Sequence, residues 1–208
     1  MRLLKFSGKE FSPDFATAAD IFLQDCKSRN LADTSITFYK EHLRYFHKYL
    51  IDQHPDTALN EITLTQFKQF IPWLSNRPNS RKPGQTLSST TVKKAVITLK
   101  SFFKYLYEEE IIEKDFYHKI KIPKSQKKVI NSLSADQIKK LLAQPDKKKF
   151  DDFRDYVMLM ILCDCGLRLS ELLNLKQQDI DWDIGTPKFL CKGNKERFVP
   201  IGTSTIMA

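Results

Sequence analysis

The chain has 208 residues, enough for one large domain or two small ones, and its 41% hydrophobic and 12% aromatic content lets it bury a core and excludes a disordered protein. Six glycines and nine prolines exclude collagen-like or low-complexity character, and no apolar run approaches the roughly 20 residues of a membrane span. Thirty-four Lys and Arg against 25 Asp and Glu give +9, so a polyanion, nucleic acid above all, is the natural partner.

Asp14 to Arg29 carries Phe15, Ala18, Ala19, Phe22 and Leu23 at i, i+3, i+4, i+7 and i+8, the pattern of an amphipathic helix. A second helix is expected from about Asp33 or Thr34 to Asp52, with the stripe Ile36, Tyr39, Leu43, Phe46 and Leu50. His54-Pro55-Asp56 breaks the pattern. A third starts near Thr63 and includes Phe67, Phe70, Ile71, Trp73 and Leu74, with Pro72 placed to kink it. Residues 76–84 form a turn-rich loop. The fourth helix begins about Ser88 and runs through Val92, Val96, Leu99, Phe103 and Leu106 to the acidic residues 108–110.

Residues 119–131 are lysine-rich and poor in apolar side chains, which predicts an extended linker. A second unit opens at Ser132, where Ser134 and Gln137 fit a capping box. Helices follow at about 135–144 and 151–165, the latter packed through Tyr156, Met158, Leu159, Ile161 and Leu162. Gly166 stops it, and another short helix spans Leu169 to Leu175. Residues 188–191 and 197–201 are short β-like runs around a Gly193-Asn194 turn, a hairpin signal. After Val199-Pro-Ile-Gly202 the chain is expected to stop without a helix. The fold class is mainly α, with four helices in 1–118, a basic linker over 119–131, and an α+β unit over 132–208.

The four cysteines show no C-x-x-C pair and do not cluster with the four histidines, so no metal site is expected and the thiols read as reduced and mostly buried. The N-terminus is too charged for a signal peptide, so a soluble, cytoplasmic protein is expected. Two helices put positive charge on one face: Lys40, Arg44 and Lys48 on the second, and Lys93, Lys100 and Lys104, with Lys94 beside them, on the fourth. Each stripe is offset from its apolar face and can meet a phosphate backbone while the other side packs. Lys121, Lys124, Lys127 and Lys128 in the linker add to this surface.

The sharper signal is Cys165-Gly-Leu-Arg168-Leu-Ser-Glu171-Leu, followed by Lys192-Gly-Asn-Lys195-Glu-Arg197-Phe-Val-Pro200. An arginine at a helix start, just after a glycine stop, can aim its guanidinium at an anion, and a lysine in a hairpin turn can reach the same anion from another side. In order and at this separation, these motifs resemble those of the tyrosine recombinases, or phage integrases, and the resemblance covers essentially the whole chain. It implies a four-helix, SAM-like core-binding domain followed by the opening, and only the opening, of a catalytic domain. It implies that Arg168 contacts the scissile phosphate, that Glu171 supports that arginine, and that Lys192 is the general acid protonating the leaving 5′ oxygen. The implied partners are double-stranded DNA, held in a clamp with the linker along its backbone, and other recombinase protomers in a bacterial nucleoid. No cofactor or metal is implied, because the family's arginines and lysine take the place of a cation.

The family also needs His-x-x-Arg, a further His or Trp, and a tyrosine nucleophile beyond the hairpin. Here the last histidine is His118 and the last tyrosine Tyr156, both before Arg168. Phosphodiester transfer without metal needs a covalent nucleophile, so the expectation is a DNA-binding recombinase fragment that does not cut. A non-catalytic regulator competing for recombination sites is the rival reading, and a helical protein–protein module is a third.

Overall fold

The computed structural model describes residues 13–80, 82–126, 131–182, 185–191 and 195–207, without the side chains of 187–191, 195–197 and 204. The chain divides into two compact units, Met1–Lys128 and Val129–Ala208.

The first unit is built on α1 (Phe15–Ser28), α2 (Asp33–Gln53), α3 (Leu64–Ser75) and α4 (Ser89–Glu108). Side chains supply the missing hydrogen-bond partners at three of the starts. Asp14 Oδ1 accepts the Thr17 N–H at 2.7 Å, Thr63 and Gln66 form a reciprocal capping box, and Ser88 Oγ accepts the Thr91 N–H at 3.1 Å. Pro72 sits on the exposed side of α3, and the helix continues through it to Ser75.

The apolar stripes meet in one core. Phe46 lies at its centre, its ring 5.0 to 5.9 Å from those of Phe15, Tyr49, Phe67, Phe70 and Phe103. Beyond α4 a 3₁₀ turn, Tyr117–Lys119, lets Tyr117 and Ile120 bury against the same core. The following residues, expected as an extended linker, hydrogen-bond back to α4. Lys100 Nζ donates to the Ile120 carbonyl at 3.3 Å, and the Gln126 N–H donates to Ser89 Oγ at 3.3 Å.

Two histidines of this unit are held in polar contacts. Tyr49 Oη lies 2.9 Å from His54 Nε2 and donates to the Gln66 carbonyl at 3.0 Å, tying the end of α2 to the start of α3. His42 is buried in α2, its Nδ1 2.7 Å from the Phe38 carbonyl. Burial pushes its pKa below the usual 6.5, and nearby Lys94 adds to that, against the Phe38 carbonyl and Glu41, which pull it up. With the folded value depressed, the unfolded chain takes up the proton first, so stability is full above about pH 6.5 and falls as pH drops below it. A His42→Leu chain should lose that part of the pH dependence in urea unfolding between about pH 7.5 and pH 5. Parallel curves for the two proteins would remove His42 as its source.

The second unit holds α5 (Ala135–Leu142), α6 (Phe150–Cys165), α7 (Leu169–Leu173), α8 (Thr203–Ile206) and the antiparallel strands β1 (Ile180–Asp181), β2 (Thr186–Cys191) and β3 (Lys195–Phe198) in the order β1-β2-β3. Ser134 and Gln137 form the expected capping box, and Gly166 ends α6 in the left-handed region at φ 58°, where a Cβ is strained. The hairpin pairs Cys191 with Lys195 and Lys188 with Phe198.

Three expectations are corrected here. Residues 203–206 do form a helical turn. The Asp164 carboxylate at the end of α6 accepts the Gly202 N–H at 2.6 Å, and Ile206 packs over Gly185 where a Cβ would collide. Of the residues expected to pack α6, Ile161 is buried and Met158 and Leu162 pack half-buried against it, whereas Tyr156 and Leu159 are not part of the core, which is Ile161, Leu167 and Leu172 with Val157, Met158, Leu162, Cys165, Leu175 and Val199 against it. Among the described thiols burial is not the rule: Cys26 is buried, but Cys163 is exposed and Cys165 half-buried. Among the described residues no helix is long and apolar enough to cross a membrane, and no three His, Cys, Asp or Glu side chains gather as a metal site would require.

Candidate nucleic-acid interface

The helical unit divides its cations into two groups. Lys40, Arg44 and Lys48 project from α2 into solvent, and Lys93 of α4 is half-buried. Among the described residues none of the four has a carboxylate partner. Lys94, Lys100 and Lys104 have structural employment. Lys94 Nζ sits 5.5 Å over the Phe38 ring and joins α4 to α2; Lys100 is bound to the Ile120 carbonyl; Lys104 pairs with Glu108 one turn on, at 3.4 Å. Lys121 and Lys124 are exposed on the stretch after Ile120, and Lys127 and Lys128 lie outside the described residues.

One cation of this unit escaped the sequence reading, which treated 76–84 only as a loop. Arg77 lies just beyond α3, its guanidinium carbon 4.6 Å from the centre of the Trp73 ring. The i, i+4 spacing of an indole and a guanidinium at a helix end was the available signal.

In the second unit the left-handed turn at Gly166 sends the chain through buried Leu167 to Arg168, which starts α7. Glu171 grips this arginine twice. One carboxylate oxygen accepts the Arg168 backbone N–H at 2.9 Å and the other accepts Nη1 at 2.8 Å. The Glu171 side chain is 5% exposed and the Arg168 side chain 70%. A buried carboxylate thus fixes the direction of a guanidinium on a largely exposed side chain, a geometry suited to an anion of fixed position. Lys192 lies outside the described residues. Lys195 and Arg197 stand in β3 opposite Cys191 and Phe189, and their side chains are not among those described.

Residues 14–122 match the phage integrase SAM-like domain, and residues 131–208 match the phage integrase family. The chain therefore belongs to the tyrosine recombinase, or phage integrase, family. It is 30% identical over 188 residues to tyrosine recombinase XerD of Shewanella oneidensis, covering 90% of this chain and 59% of that protein. It is 32% identical over 174 residues to a tyrosine recombinase of Pseudothermotoga lettingae, covering 83% and 57%. The chain thus spans a little under three-fifths of the length of these relatives. Similar folds occur in a lambda integrase tetramer bound to a Holliday junction (TM-score 0.70, 16% identity, 95% of this chain and 54% of that one) and in the XerH site-specific recombinase bound to its palindromic difH substrate (TM-score 0.66, 24% identity, 91% and 55%).

Proposed function

We propose that this chain is the DNA-binding portion of a site-specific tyrosine recombinase. The helical unit lays Lys40, Arg44, Lys48 and Lys93 on the phosphates of duplex DNA, and the second unit presents Arg168, aligned by Glu171, to a phosphate. The carrying observation is the row of exposed cations on α2, which no carboxylate among the described residues neutralises. Contacts of this kind give register and affinity with limited sequence reading. In a site that also held a nucleophile Lys192 would be the proton donor to the leaving oxygen, and Lys121, Lys124, Lys127, Lys128, Lys195 and Arg197 are proposed as further phosphate contacts. Within these 208 residues no tyrosine or histidine follows Arg168. We therefore read these 208 residues as binding DNA without themselves forming a phosphotyrosine bond.

Fluorescence anisotropy of a labelled random duplex of about 30 base pairs tests this reading, because log K falls with log salt by roughly 0.9 per phosphate neutralised. A steep linear fall is expected, with no covalent protein–DNA adduct on a denaturing gel. A flat response would sink the DNA reading in favour of a helical protein–protein module. An adduct would overturn the inactive-fragment reading.

A further inference from the structure

We propose that Arg77 is a pre-positioned phosphate contact that extends the basic row of α2 onto the end of α3. This rests on reading the helical unit as a duplex-DNA binder.

Arg77 is fixed at both ends of the residue. Its backbone N–H donates to the Leu74 carbonyl at 3.2 Å, and its own carbonyl accepts the Leu87 N–H at 3.0 Å. Pro78 and Thr86 pair next to it and close the base of the loop between α3 and α4. The guanidinium lies over Trp73, whose indole is held by Tyr49 and Phe70 at 5.3 and 6.0 Å between ring centres.

Its position is set by the same helix pairing. Trp73 packs on Tyr49 of α2, so Arg77, four residues after Trp73, falls toward Tyr45, four residues before Tyr49. Both Arg44 and Arg77 act on the Tyr45 hydroxyl, pulling its pKa down against the larger effect of burial. Arg77 therefore lies on the side of α3 that packs against α2, in reach of the field of the Tyr45 hydroxyl on which Arg44 also acts, while that hydroxyl itself is directed to Glu41 at 3.4 Å.

Stacking occupies one face of a guanidinium and leaves the N–H donors around its edge. No carboxylate among the described residues pairs with Arg77. A side chain already held by stacking has less freedom to lose when a phosphate arrives, so it contributes more than a mobile lysine at the same place. Stacking and forked geometry both depend on arginine, and lysine keeps only the charge.

The test compares the full chain with its Arg77→Ala and Arg77→Lys variants in the salt titration, on two duplexes of unrelated sequence. Arg77→Ala should weaken binding by about tenfold at moderate salt and make the salt slope shallower by roughly 0.9. Arg77→Lys should keep the wild-type slope and lose part of the affinity. Equal losses on both duplexes support a phosphate contact, and a loss confined to one would overturn it. Wild-type affinity and slope in Arg77→Ala, with salt-dependent binding intact in the parent chain, would remove this contact and leave the DNA reading standing. A parent chain with no salt-dependent binding would remove both.

Discussion

Replacing Phe46 with alanine lowers the stability of the helical unit by about 3–5 kcal/mol. The ring is fully buried and touches aromatic rings contributed by all four helices, so its loss opens a cavity that no single side chain can fill. Domains of this size have about 5–15 kcal/mol in total, and each kcal/mol is worth roughly 4–8 °C in Tm. The variant should therefore be close to unfolding at physiological temperature. Trp73 lies in this unit and Trp182 in the other, so Trp73 fluorescence in a Trp182→Phe background reports urea unfolding of the helical unit alone. A loss below about 1 kcal/mol would show that the aromatic cluster rearranges freely, contrary to its close packing.

Alanine at Lys40, Arg44, Lys48 and Lys93 together should weaken DNA binding on the order of a hundred- to a thousandfold at physiological salt, and make the salt slope shallower by about three to four. These four are chosen because no carboxylate among the described residues pairs with them. Removing them should leave the unfolding midpoint nearly unchanged, within about 0.5 kcal/mol per site. Lys94, Lys100 and Lys104 form the control set. Their replacement breaks the contacts to Phe38, the Ile120 carbonyl and Glu108, so it should change stability as well as affinity. If the first set leaves the slope of anisotropy against salt untouched, α2 does not face the phosphates.

The helices of the first unit were legible because each has an apolar stripe of helical period, and because Asp14, Thr63 and Ser88 announce their starts. The hairpin was legible from its turn, and the pairing of Arg168 with Glu171 from their i, i+3 spacing. What escaped depends on residues far apart in the chain. The turn at 203–206 is tied to Asp164, whose carboxylate is 38 residues before Gly202. Lys100 looked like one more member of a stripe, but its amine is committed to a carbonyl 20 residues on. Burial along α6 failed for a related reason. An apolar run says that several sides of a helix could be covered, whereas the neighbours decide which are, and here they cover Ile161.

The Tyr49 hydroxyl has one proton and two neighbours. The Gln66 carbonyl can only accept, so the phenol spends its proton there and must itself accept from His54. His54 therefore carries hydrogen on Nε2, and its neutral ring keeps the lone pair on Nδ1. His42, inside α2, already uses its Nδ1 hydrogen on the Phe38 carbonyl, and a second proton would have to enter the packed interior on Nε2. His42 inside α2 and His54 at its C-cap are thus fixed in opposite neutral tautomers, the first with its hydrogen on Nδ1 and the second on Nε2.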